Sequence, residues 1–70
     1  MRAIRLAVYA DPTADAYTIT RDALALARRL EVGVWLRIDE GYSFDVDPEY
    51  TDEGAAMRMA ESIINHRASQ

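Results

Sequence analysis

The chain has 70 residues, half of them apolar and 29% charged, with a formal net charge of −4 at pH 7. This composition predicts a single globular domain, residues 1–70, rather than a disordered chain, and no apolar run is long enough to span a bilayer. Because so small a core has neither cysteines nor a cluster of metal ligands to staple it, we expect self-association or a bound partner to complete it.

The first two elements are predicted to be a strand and a helix. Residues 3–9 alternate with a period of 2, which places Ile4, Leu6 and Val8 on the side of the core. Pro12 breaks this pattern, and residues 14–31 then follow the helical period. The apolar stripe that we expect this helix to bury comprises Ile19, Ala23, Leu26, Ala27 and Leu30.

A β-hairpin is predicted in the stretch VGVWLRIDEGYSFDV, residues 32–46. A two-residue loop would turn the carboxylates of its second strand toward the core, where unpaired burial is unfavourable. A three-residue loop, residues 39–41, instead pairs Ile38 with Tyr42 and keeps every apolar side chain on one side. We therefore predict the three-residue loop, which also places Trp35 beside Asp45.

The last element is predicted to be a second helix, residues 51–67, with Thr51 as its N-cap. Its expected buried stripe comprises Ala56, Met59, Ala60, Ile63 and Ile64. The order β-α-β-β-α predicts an α+β fold of two layers: a three-stranded mixed sheet in the order 1-2-3, with both helices on one face.

The other face of that sheet would lack a covering layer and would display an unusual set of side chains. Tyr9 and Trp35 lie there among small residues, with the guanidinium groups of Arg5 and Arg37 and the carboxylate of Asp45 beside them. Trp, Tyr and Arg are the residue types most enriched at binding hot spots. We predict that these five residues form a partner-binding site. The alternative is that the tryptophan stacks on an arginine and only shields its own sheet.

Three kinds of partner could use such a face: a second copy in a homodimer, another protein, or single-stranded nucleic acid, which binds stacking platforms of this type. Seven of the twelve acidic residues lie between positions 39 and 53, beside the face, and would repel phosphates. We therefore expect a protein partner or self-association, with nucleic acid as the less favoured alternative. The acidic segment could itself dock on a basic protein as a nucleic-acid mimic, although a solvated loop explains it more simply.

No motif predicts catalysis, a metal or a cofactor. The alternating acids Asp45, Asp47 and Glu49 suggest a calcium loop, but its sixth and twelfth positions hold Tyr50 and Ala56 instead of Gly and Glu. The single histidine has no sequence partner for general-base catalysis, and the scattered glycines cannot form a phosphate loop. We predict a protein that is not an enzyme, with a small metal-dependent enzyme as the third alternative.

The segment MRAIRLAVYADPTADAYTITRDALALARRLEVGV and the use of eight arginines without any lysine resemble small acidic proteins of actinobacteriophages, especially mycobacteriophages. The resemblance covers most of the chain and includes no motif whose functional residues can be carried over. It implies a non-structural viral accessory protein that binds a protein of its bacterial host. Together with the lack of cysteine and of a signal-peptide core, it predicts a location in the host cytoplasm.

Overall fold

The computed structural model describes residues 3–70 and confirms the predicted α+β architecture. The elements are β1 (Arg5–Tyr9), α1 (Ala16–Leu30), β2 (Gly33–Asp39), β3 (Tyr42–Val46) and α2 (Glu53–Ala68). β1 pairs with β2 in parallel and β2 pairs with β3 antiparallel, which gives a mixed sheet in the order β1-β2-β3. Within residues 3–70, no helix is long and apolar enough to cross a membrane.

The core lies between the two helices and one face of the sheet. Val34, Leu36 and Val46 supply its sheet side and are almost completely buried. They form one cluster with residues of both helices: Ile19, Ala23, Leu24, Ala27 and Ala56. A second cluster joins buried helix residues to partly buried residues of the hairpin: Ala16, Ala60 and Ile63 with Ile38, Tyr42 and Phe44. Both helices therefore pack on the same side of the sheet.

Aspartates cap the starts of both helices. The Oδ2 of Asp15 accepts a backbone N–H from the first turn of α1 at 3.1 Å, and the Oδ1 of Asp52 accepts one from α2 at 2.7 Å. The prediction of Thr51 as the second N-cap is wrong by one position. The Thr51 hydroxyl is instead buried and accepts the backbone N–H of Asp47 at 2.8 Å, which fixes the turn between β3 and α2.

The hairpin register is confirmed at four positions: Val34 opposite Val46, Trp35 opposite Asp45, Leu36 opposite Phe44 and Arg37 opposite Ser43. The predicted three-residue loop is wrong, because a β-bulge precedes Asp39 and sets that residue opposite Tyr42. Gly41 closes the resulting two-residue loop at a φ of 82°. In a bulge, two residues of one strand lie opposite a single residue of the other. The side chains of Ile38 and Asp39 therefore both point toward the helices.

The bulge brings Asp39 into contact with the end of α2. Its Oδ2 lies 2.7 Å from the Nε2 of His66 and accepts a second hydrogen bond from the side chain of Gln70 at 3.1 Å. The His66 ring stacks on Tyr42, with ring centroids 3.9 Å apart. The hydrogen bond from His66 is the main cause that lowers the pKa of the Asp39 carboxyl. These contacts attach the end of α2 to the hairpin.

β1 is covered less completely than its pattern predicts. Ile4 and Leu6, which the alternation assigns to the core, are 71% and 37% exposed. Leu30, predicted on the buried stripe of α1, is also exposed, whereas Leu24 is buried in its place. The reason is the position of α1, whose contacts with the sheet fall mainly on β2 and β3. The helix-facing side of the edge strand is therefore partly uncovered.

Substitution of two adjacent isoleucines of α2 tests how this helix packs on the sheet. Ile63 is 0% exposed, whereas Ile64, predicted on the same stripe, is 42% exposed. Ile63→Ala should lower the free energy of unfolding by about 2–5 kcal/mol, because it leaves a cavity in the core. Ile64→Ala should lower it by less than about 1 kcal/mol. Urea unfolding measures both values, and equal losses would contradict the packing described.

The Asp39 contact predicts a dependence of stability on pH. Folding lowers the pKa of this carboxyl below its ordinary 3.8, so its stabilisation is present above that value and is lost as the pH falls through the lower pKa of the folded chain. Asp39→Asn should therefore be less stable than wild type at about pH 5, and the difference should shrink toward about pH 2. Unfolding curves across this range measure the difference. A deficit that does not change with pH would argue against the contact.

Candidate interaction face

The candidate site is the side of the sheet opposite the helices, called the open face from here on. It consists of alternate residues of the three strands: Arg5, Ala7, Tyr9, Gly33, Trp35, Arg37, Ser43 and Asp45. Six of these eight residues are exposed, and the other two, Gly33 and Arg37, are half-buried. All five residues predicted to bind a partner therefore lie together on one exposed surface.

The strand register determines which of these side chains are neighbours. Tyr9 of β1 lies beside Arg37 of β2, and Ala7 lies beside Trp35, which is opposite Asp45 of β3. Side chains of directly paired residues are about 5 Å apart at their Cβ atoms, which is within contact distance. Because Ala7 is small, the indole of Trp35 lies at the centre of the face without a bulky neighbour on β1.

Arg37 lies between the two aromatic residues. Its Cζ is 5.1 Å from the ring centroid of Trp35 and 5.4 Å from that of Tyr9, and its Nη1 donates to the Tyr9 hydroxyl at 3.4 Å. Both ring distances are within the cation–π range, where an exposed contact contributes about 0.5–1 kcal/mol. The guanidinium thus links the two aromatic side chains across the strand pair.

The indole of Trp35 is also fixed at its polar atom. Its Nε1 donates to the Oγ of Ser43 at 2.8 Å, while the residue remains 40% exposed and Tyr9 remains 77% exposed. This role of Ser43 does not follow from the sequence pattern, because the pairing places Ser43 opposite Arg37 and the hydrogen bond crosses the strands diagonally. With its N–H already satisfied, Trp35 presents mainly apolar ring surface to solvent.

The second arginine of the face forms an ion pair. The Nη1 of Arg5 lies 2.7 Å from the Oδ1 of Asp45, so the pair joins β1 to β3 across the central strand. The arginine passes over Gly33, where an added Cβ would lie 3.7 Å from its Cγ. Both positive charges of the open face therefore already have partners within the face.

The acidic segment beside the face is largely engaged in the fold. Asp47 accepts the backbone N–H groups of Glu49 and Tyr50 at 2.8 and 2.9 Å, and Glu53 forms an ion pair with Arg28 at 3.0 Å. Asp39, Asp45 and Asp52 accept the contacts already described. These roles favour a structural explanation of the segment over the mimicry of nucleic acid. Among residues 3–70, no group of three or more His, Cys, Asp or Glu side chains could hold a metal ion.

Comparison with known proteins adds no family to this description. No protein-family model matches the chain, no curated protein matches its sequence, and no solved structure matches its fold.

The ion pair between Arg5 and Asp45 should contribute little to stability. Both side chains are exposed, and pairs of this kind typically contribute about 0.2–1 kcal/mol. A double-mutant cycle of Arg5→Gln and Asp45→Asn, followed by urea unfolding, should give a coupling energy in that range that decreases with added salt. A coupling energy above about 2 kcal/mol, insensitive to salt, would show that the pair is far less solvated than its geometry indicates.

Proposed function

We propose that the chain is a small protein-interaction module without catalytic activity, which binds a protein partner through the open face. The observation that carries this proposal is the exposed pair of aromatic side chains, Tyr9 and Trp35, on a sheet face over which no other described element packs. Aromatic residues and arginine in one patch are characteristic of the centres of protein interfaces.

The contacts within the face support this role, because they restrict its side chains before binding. Arg37 holds Tyr9 and Trp35 from one side, and Ser43 holds the indole N–H of Trp35. A surface whose side chains are already ordered loses less conformational entropy when it associates. A larger share of the free energy gained by covering the rings is then available for affinity.

The charges support a protein partner over single-stranded nucleic acid, which remains the alternative. Binding of nucleic acid draws on cationic side chains that neutralise phosphates. Arg5 is paired with Asp45, Arg37 lies between two rings, and the whole chain has a net charge of −4. The face therefore offers stacking surface but little uncompensated positive charge.

The resemblance to actinobacteriophage accessory proteins makes a protein of the bacterial host the proposed partner, bound in the host cytoplasm. A viral protein of this kind would act by occupying a surface of its target rather than by modifying it. An apolar, preordered patch on a small scaffold is suited to that mode of action.

A pull-down with matched variants tests the proposal. Tagged wild-type chain is incubated with an actinobacterial lysate beside the face variant Tyr9→Ala/Trp35→Ala and the control variant Tyr17→Ala/Tyr50→Ala. The control removes aromatic residues of nearly the same exposure, 43% and 79%, from outside the open face. Wild type and control should retain the same host protein, and the face variant should lose it at least about tenfold, which corresponds to about 1.4 kcal/mol.

The remaining outcomes separate the alternatives once circular dichroism has shown that both variants are folded. Retention of the partner by the face variant would contradict the proposal. Capture that disappears after nuclease treatment would favour the nucleic-acid alternative. Capture that survives in the face variant but disappears at modest salt would assign binding to the acidic segment, residues 39–53.

A further inference from the structure

We propose that two copies of the chain associate edge to edge through β1, so that their sheets form one continuous six-stranded sheet and Ile4 of each copy fills a cavity of the other. This association uses the edge of the sheet and not the open face, so it goes beyond the function proposed above.

Within residues 3–70, the backbone of β1 pairs with another strand on only one side. The N–H of Ala10 donates to the carbonyl of Arg37 in β2 at 2.8 Å. Because successive residues of a strand direct their N–H and C=O groups to alternate sides, those of Arg5, Ala7 and Tyr9 point away from β2. An exposed edge of this kind is a template for another strand.

The helix-facing side of the same edge also exposes apolar surface. The exposed side chains of Ile4 and Leu6 lie there, where a fully covered sheet would bury them. Toward the other end of the strand, beyond Leu6, a cavity of about 230 Å³ opens between β1 and α1. Its apolar lining includes Val8, Ala10 and Leu26. The edge therefore combines a projecting apolar side chain with an unfilled apolar cavity.

The hydrogen-bonding pattern selects a register for two antiparallel β1 strands. The line along which the two β1 strands meet is called the seam from here on. Only residues whose backbone groups point to the free edge can form hydrogen-bonded pairs across it. The register that pairs the whole strand places Ala7 opposite Ala7 on the two-fold axis. Arg5 of each copy then lies opposite Tyr9 of the other, so this register brings no like charges together.

The same register matches the apolar side chains beneath the seam. Leu6 of one copy lies opposite Val8 of the other, and Ile4 lies opposite Ala10. Because Ala10 lines the cavity, the side chain of Ile4 from the second copy is positioned at its mouth. The two-fold axis repeats this contact, so each copy supplies one projecting isoleucine and one cavity.

Charges on α1 also fit a second copy. Asp22 borders the cavity, and Arg29 follows seven residues later on the same flank of the helix. Neither residue forms an ion pair within residues 3–70. The two-fold axis sets the α1 helices antiparallel on either side of the seam, so Arg29 of each copy approaches Asp22 of the other.

Association of this kind would also join the two open faces into one surface. The central row of side chains would be Trp35 and Ala7 of one copy, followed by Ala7 and Trp35 of the other. The two small alanines would leave a shallow depression between the two indole rings. A protein partner could then contact both copies at once, which would raise its affinity through avidity.

Sedimentation equilibrium tests the association with matched variants. Wild type should be a dimer. Ile4→Asp places a carboxylate at the cavity and should raise the dimer Kd at least about tenfold. The control Met57→Asp makes the same change at an exposed apolar residue of α2 and should leave the Kd unchanged. Ala7→Pro removes an N–H that faces the free edge, which an edge strand tolerates, and should give a folded monomer.

A charge exchange tests the register. Arg29→Asp alone should weaken the dimer, and addition of Asp22→Arg should restore it. Trp35→Ala should leave the dimer intact while it abolishes binding of the partner, so failure of this inference and failure of the proposed function are distinguishable. A wild-type chain that remains monomeric at about 1 mM, or an Ile4→Asp variant that dimerises like wild type, would overturn the inference.

Discussion

The alternation of side chains along the central strand β2 is the constraint on which the other features depend. Val34 and Leu36 are buried beneath the helices. Trp35 and Arg37, which alternate with them along the strand, lie on the open face. A shift of the register by one residue would exchange the two sets and bury a charged group in an apolar core. The register of β2 therefore determines both the core and the candidate interaction face.

Much of the fold could be predicted from the sequence because its signals are local. The period changes from 2 to 3.6 and back, and the unfavourable burial of carboxylates such as Asp45 selects the hairpin register. Once that register is known, the position of Trp35 beside Asp45 and of Arg37 beside Ser43 follows from pairing alone. The residues that form the open face could be predicted for the same reason, whereas the role of this face in binding remains a proposal.

The features that the sequence did not predict depend on contacts between distant segments. Alternation alone placed Ile4 and Leu6 in the core, but their exposure is set by where α1 settles across the sheet. The bulge before Asp39 has a similar origin. The bulge keeps the side chains of Ile38 and Tyr42 on the side of the sheet that faces the helices. It also directs the carboxylate of Asp39 to His66, a residue 27 positions away. No short window of sequence contains both partners of that hydrogen bond.

The unequal connections of the three strands have a consequence for the order of folding. β2 and β3 are joined by a two-residue loop, whereas β1 reaches β2 only after the 15 residues of α1 have been traversed. Contacts between close segments form at a lower entropic cost, so the hairpin is expected to precede the docking of β1. Because Arg5 and Tyr9 lie on β1, the aromatic surface would be completed only after the hairpin has formed. Transient detachment of β1 alone would disrupt the aromatic surface while the hairpin remains folded.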